Sequence, residues 1–146
     1  MINVEVSTVI NRPLDEVFAF VSNFEHYPQW ESNFAEVTCL TPDHIGVGTR
    51  YQCALKMPGK RVVSMIEITD YTPNRTIAFR GDQPVQAKPV GRLMVEAVGN
   101  GTKVSLIPQP EFGGLFKLLE PLMAGYIKRS NVEHLRTLKM TLERQQ

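Results

Sequence analysis

Val4, Val6, Thr8 and Ile10 alternate with their neighbours at the start of the chain, the period-two pattern of a strand with one buried face. The period then changes. Leu14, Val17, Phe18, Val21 and Phe24 recur at helical spacing. They follow Pro13, whose fixed φ and missing N–H suit a first helical turn. Asp15 and Glu16 fall where the helix dipole favours carboxylates. Asn23 can cap a second short turn, which Pro28 ends before Trp30. Strand-type alternation returns over 34–40, 47–56, 61–71, 75–80, 92–98 and 102–108, which with the first strand makes seven. Pro and Gly punctuate the series at Thr41-Pro42-Asp43, Met57-Pro58-Gly59, Pro73-Asn74 and Gly99-Asn100-Gly101.

Short turns between consecutive strands predict an antiparallel meander, with one wet face and one that needs cover. The cover is the C-terminal segment. Leu115, Leu118, Leu119, Leu122, Met123, Tyr126, Ile127, Leu135, Leu138 and Leu142 form a three-and-four stripe, which predicts one amphipathic helix over 122–142. Pro121 predicts a kink, or a short helix ahead of the main one. The stripe has a polar gap at Ser130, Asn131 and His134, and polar groups on a buried face need partners or a wet or ligand-filled cavity.

Several of these features resemble the START-like (SRPBCC) superfamily, which includes polyketide cyclase/dehydrase-type and plant pollen-allergen-like domains. The matching residues are the strand ending at Ile10, then Pro13, Val17, Phe18, Asn23, Tyr27, Pro28 and Trp30. Downstream they are Gly46-Val47-Gly48, Ile68-Thr69-Asp70-Tyr71-Thr72-Pro73-Asn74-Arg75 and Gly99-Asn100-Gly101-Thr102, so the resemblance covers nearly the whole chain. It implies an α+β helix-grip fold, a seven-stranded antiparallel sheet wrapped around a long C-terminal helix, with two short helices after the first strand. It also implies an internal pocket with the segment around His26, Tyr27, Trp30 and Glu31 near its mouth. The superfold hosts carriers, enzymes and receptors, so it does not by itself set the function.

At 146 residues, 1–146 reads as a single domain able to bury a substantial core. The 16 basic and 15 acidic residues leave a net charge of +1, which removes the bulk field expected of a nucleic-acid binder. No apolar run has the ~20 residues of an integral membrane segment, and no signal peptide is visible, so a cytoplasmic location is expected. Cys39 and Cys53 fall on adjacent strands of one hairpin. A disulfide between them is conceivable, but a reducing compartment argues against it.

Candidate chemistry is sparse. Neither a metal-type spacing of His, Cys or Glu nor a phosphate loop is present, and Gly46-x-Gly48 precedes a strand where a nucleotide fingerprint needs a helix. No cofactor and no metal are expected. Alternation and the polar gap select Trp30, Tyr51, Cys53, Ile66, Ile68, Phe79, Tyr126, Asn131 and His134 as residues around an internal space. Trp30 also reads as plain core packing, and His134 as an edge residue bonded to a neighbour or water. Met57, Met65, Met94 and Met123 would add adaptable walls wherever they face inward. Pro84 and Pro89 make 81–91 an edge strand or a loop, either a lip over the pocket or a surface crossing, and 108–114, of similar composition, could form the opposite lip. If acid–base chemistry occurs, His134 is its candidate, with Glu67 or Glu111 as carboxylate, although alternation turns Glu67 to solvent. His26 is expected to be exposed. The first reading is therefore binding of a small hydrophobic or aromatic molecule, lipid- or polyketide-like. A polyketide cyclase/dehydrase-like enzyme is the alternative. The third is a protein-interaction module, for which the sequence gives no sign of the exposed apolar patch it requires.

Overall fold

A computed structural model describes residues 4–31, 34–41, 45–57, 60–82, 87–112 and 114–144. The chain runs β1 (Val6–Ile10), α1 (Leu14–Val21), a first 3-10 helix (Phe24–Gln29), β2 (Phe34–Cys39), β3 (Arg50–Met57), β4 (Lys60–Thr72) and β5 (Thr76–Gly81). It continues through β6 (Ala87–Lys88), β7 (Val90–Val98), β8 (Gly101–Pro108), β9 (Glu111–Phe112), a second 3-10 helix (Gly114–Leu119) and α2 (Glu120–Arg144). Seven strands make one sheet in the order β1-β8-β7-β5-β4-β3-β2, and every neighbouring pair is antiparallel. The helix-grip expectation holds.

Alternation decides which face each strand buries. Tyr51 and Cys53 on β3, Ile66 and Ile68 on β4, Leu93 and Val95 on β7, and Val104 and Leu106 on β8 are all buried. Met65 and Met94 lie on the outer face, 39% and 41% exposed, so they do not wall a space between the sheet and the last helix. Met123 packs partly buried against the core. The β7–β8 hairpin turns at Gly99, whose φ of 58° suits the first central position of a tight hairpin turn. A side chain at Gly101 would meet the Ile10 carbonyl at 2.7 Å, so glycine lets β1 lie against this turn. Gly46-Val47-Gly48 is a turn before β3 and no part of it, with Gly48 at φ 92°.

Pro121 neither breaks nor precedes the last helix. It occupies the first turn of α2, where its missing N–H costs nothing, and the short helix comes just before. The C-terminal half of α2 buries His134, Leu135, Leu138 and Leu142. Its end is tied to the first strand and the turn after it. The Arg12 Nε donates to the Leu142 carbonyl at 3.0 Å, the Asn11 backbone N–H to Glu143 Oε2 at 2.8 Å, and Lys139 to the Val9 carbonyl at 2.6 Å. The Lys139 side chain and the Asn11 N–H together hold the Glu143 carboxyl below its usual pKa.

The two Pro-bearing segments meet. Residues 83–86 lie outside the described residues, but Ala87 pairs with Phe112 and Lys88 with Glu111, so the two proposed lips are joined as a small ladder. Arg80 on β5 donates to both Glu111 carboxylate oxygens through its two terminal guanidinium nitrogens and so ties that ladder to the sheet.

Leu138→Ala, which empties a fully buried site, is expected to cost about 2–5 kcal/mol in urea denaturation. Leu122→Ala, at a position 78% exposed, should stay within about 0.5 kcal/mol.

Candidate functional site

The site is built by the first 3-10 helix. Asn23 caps it, accepting the Glu25 N–H at 3.1 Å, as its sequence position predicts. Pro28 lies in its last turn, and the Trp30 and Glu31 N–H groups both close on the Tyr27 carbonyl, at 3.0 and 2.7 Å. This tight end turns Trp30 inward to 2% exposure and brings Glu31 beneath α2. The aromatic rings pack in series. Tyr27 meets Trp30 edge-on at 4.9 Å, while Phe24 stands 5.1 Å from Tyr51 and 5.5 Å from Phe79.

Beside this belt lies a recess of about 60 Å³ whose walls include Tyr27, Trp30, Glu31, Phe79, Leu93 and Asn131. A wider pocket of about 580 Å³, bordered by Arg80, Val90, Phe112, Lys117 and Glu120, opens nearby. Val90 lines both, so recess and pocket adjoin at that residue. The Asn131 amide nitrogen donates back to the Ile127 carbonyl at 2.8 Å.

His134 stands behind the recess, 5% exposed, with its Nδ1 3.4 Å from Glu31 Oε1. That is close enough for an ion pair when the ring is protonated, but it is not aligned as a hydrogen bond. His134 Nδ1 and Trp30 Nε1 are buried without a hydrogen-bond partner among the described residues, and the buried Tyr51 hydroxyl has the Phe24 backbone near it but short of a well-formed hydrogen bond. The Glu31 charge reaches further. Burial first, and Glu31 second, hold the Tyr27 hydroxyl well above its ordinary 10.0 and push the Cys53 thiol up to about 12. Burial, with Cys39 next, raises Tyr51 to about 12 against an opposing pull from the Phe24 backbone. At neutral pH these groups are proton donors and weak acceptors, and none is a nucleophilic anion.

Of the nine residues selected from sequence, Trp30, Phe79 and Asn131 border the recess. Tyr51, Cys53, Ile66 and Ile68 face inward but pack in the core, because Phe24 and Tyr27 fill the space in front of β3. Tyr126 is 58% exposed. The inward positions of α2 run Ile127, Asn131, His134, Leu138, and one residue's offset turns Tyr126 about 100° away. The carboxylate beside His134 is neither Glu67 nor Glu111. Glu67 lies on the outer sheet face with Arg50, as alternation predicts, and Glu111 holds Arg80. Glu31 takes that place, and no periodicity could have linked two residues so far apart in sequence. His26 is half-buried and stacked 4.4 Å from Phe20, with its Nδ1 3.1 Å from the Phe20 carbonyl. Cys39 and Cys53 are free, since register sets Cys39 opposite Tyr51 and Cys53 opposite Val37.

The family model described as "Polyketide cyclase / dehydrase and lipid transport" matches residues 1–143. No curated protein matches the sequence significantly. Among solved structures, TTHA0849 from Thermus thermophilus is 18% identical, with a TM-score of 0.75 over 94% of each chain. The Zhui aromatase/cyclase from Streptomyces sp. R1128 is 16% identical, with a TM-score of 0.71 over 97% of this chain and 93% of that one. The di-domain ARO/CYC BexL from the BE-7585A biosynthetic pathway is 19% identical, with a TM-score of 0.77 over 98% of this chain and 47% of that one. At such identities the likeness is one of fold.

Two outcomes follow from the site. His134→Leu breaks no well-formed hydrogen bond among the described residues and extends the apolar stripe from Ile127 to Leu135, so thermal melts should show a change of less than about 1 kcal/mol. Iodoacetamide at pH 8 should modify Cys39 and spare Cys53 until the protein is unfolded, as read by peptide mass spectrometry. Because the folded Cys53 value is raised, its contribution to stability is complete below the ordinary thiol value of 9.0 and is lost as pH rises from there through about 12.

Proposed function

Because the chain belongs to the polyketide cyclase / dehydrase and lipid transport family, we propose that it binds a small hydrophobic or aromatic molecule between the sheet and α2. The observation that carries this reading is the buried Trp30 Nε1, which has no hydrogen-bond partner among the described residues and belongs to a side chain bordering the recess. A stranded buried donor costs roughly 1–3 kcal/mol, a cost that a ligand oxygen would remove. The adjoining pocket is in the size range of sites for drug-sized ligands. The ligand's apolar body lies against Val90 and Phe112, and its oxygenated end enters the recess. There Trp30 donates a hydrogen bond and the Glu31 carboxylate accepts one, so a hydroxyl is the preferred group. The free thiols suit a reducing, cytoplasmic setting.

The Glu31–His134 contact supports a second reading, that of a cyclase/dehydrase-like enzyme. A carboxylate at the recess wall backed by an imidazole can take a proton from a bound ligand and return it during loss of water. In this reading Glu31 touches the substrate and His134 positions Glu31.

Trp30 is the chain's one tryptophan, so its emission reports on the recess directly. Titration with naphthol should change that emission saturably, and naphthol should bind several-fold tighter than naphthalene, about 1 kcal/mol for one hydrogen bond. A linear, unsaturable response would overturn ligand binding at this place. For the enzyme reading, a poly-β-ketone would be released lighter by one water, and Glu31→Gln would stop the conversion. Recovery of the compound unchanged leaves the carrier role.

A further inference from the structure

The sheet uses only half of the apolar stripe along the C-terminal segment. Leu135, Leu138 and Leu142 are buried, yet Leu118 is 76% exposed, Leu119 42%, Leu122 78% and Tyr126 58%. Single exposed apolar residues are ordinary, but four large ones fall within nine residues, 118–126. Leu122, Tyr126 and Arg129 are spaced four and three residues apart, so they share the outward face of α2, nearly opposite Leu138. Lys117 and Arg129 are exposed beside these apolar residues, and further along the same face the exposed Glu133 pairs with Arg136, so cations exceed carboxylates there.

We propose that this face docks on an anionic lipid bilayer. The chemistry is that of an interfacial helix. Leucines and a tyrosine enter the headgroup boundary while flanking cations meet lipid phosphates. A second copy of the chain fits less well, because a two-fold contact would press the same cations together. A net charge of +1 gives the whole molecule little long-range attraction, so the contact depends on this local face. Lys117, next to Leu118 in the chain, also borders the wide pocket. Passage of ligand from bilayer to pocket rests on the proposed binding role, whereas docking itself does not.

Flotation with phosphatidylcholine vesicles, and with the same vesicles containing phosphatidylglycerol, tests the docking. The protein is expected to float with the anionic vesicles only, and added salt should release it. Leu118→Ser with Leu122→Ser should weaken partitioning at least about tenfold, and Arg129→Gln about fivefold. Both sites are exposed, so the double variant should keep the wild-type melting temperature and the Trp30 response to naphthol. That retained response separates failure of docking from failure of ligand binding. Equal partition to both vesicles, partition to neither, or partition unchanged in the double variant overturns the proposal. A dimer in light scattering that the same substitutions dissolve would also overturn it and assign the face to a second copy.

Discussion

The structure depends on where α2 is held. Its C-terminal half buries Leu135, Leu138 and Leu142, and its last turns are tied by Arg12, Asn11 and Lys139 to the end of β1 and the turn that follows. A helix anchored at one end of a curved sheet leaves the sheet towards the other. The space so created is divided. Phe24, Tyr27 and Tyr51 fill the part in front of β3, while the part in front of β5, β7 and β8 remains a recess bordered by Phe79, Leu93 and Leu106. The more firmly the hydrophobic clamp fixes one end of α2, the less the helix can collapse onto that gap.

The same geometry explains the polar gap in the helix. At Asn131 and His134 the helix passes over the end of the first 3-10 helix, where Glu31 offers a carboxylate. His134 is the polar group that α2 sets beside it, 3.4 Å away. Burial first, and Glu31 second, raise the pKa of Tyr27, so the groups around the recess are a neutral phenol, an indole N–H and one acid. Such a set favours hydrogen-bonded recognition of an oxygenated ligand, and its one pair suited to proton transfer is Glu31 with His134.

Much of the fold was legible in the sequence because burial follows period. Tyr51, Cys53, Ile66 and Ile68 turn inward by alternation, Asn23 caps the helix its position suggests, and α2 is continuous over the predicted stretch. Errors arose where period is no guide. A helix turns 100° per residue, so Tyr126 fell outside while Ile127 packed against the core. Glu31 and His134 meet through tertiary packing alone. The pairing of Ala87–Lys88 with Glu111–Phe112 takes the edge-strand option that the prolines left open for 81–91, but no pattern in the sequence named its partner. The exposed leucines at 118 and 122 continue the apolar stripe in sequence but not its burial, because burial follows the departure of the helix from the sheet.

The most direct test is native mass spectrometry of freshly purified protein. A ligand held between sheet and helix predicts a species heavier than the 16.5 kDa chain by one small molecule, lost on denaturation and matched by an organic compound in the extract. The bare chain mass alone, under conditions gentle enough to preserve an added naphthol complex, would contradict a carrier that retains its ligand.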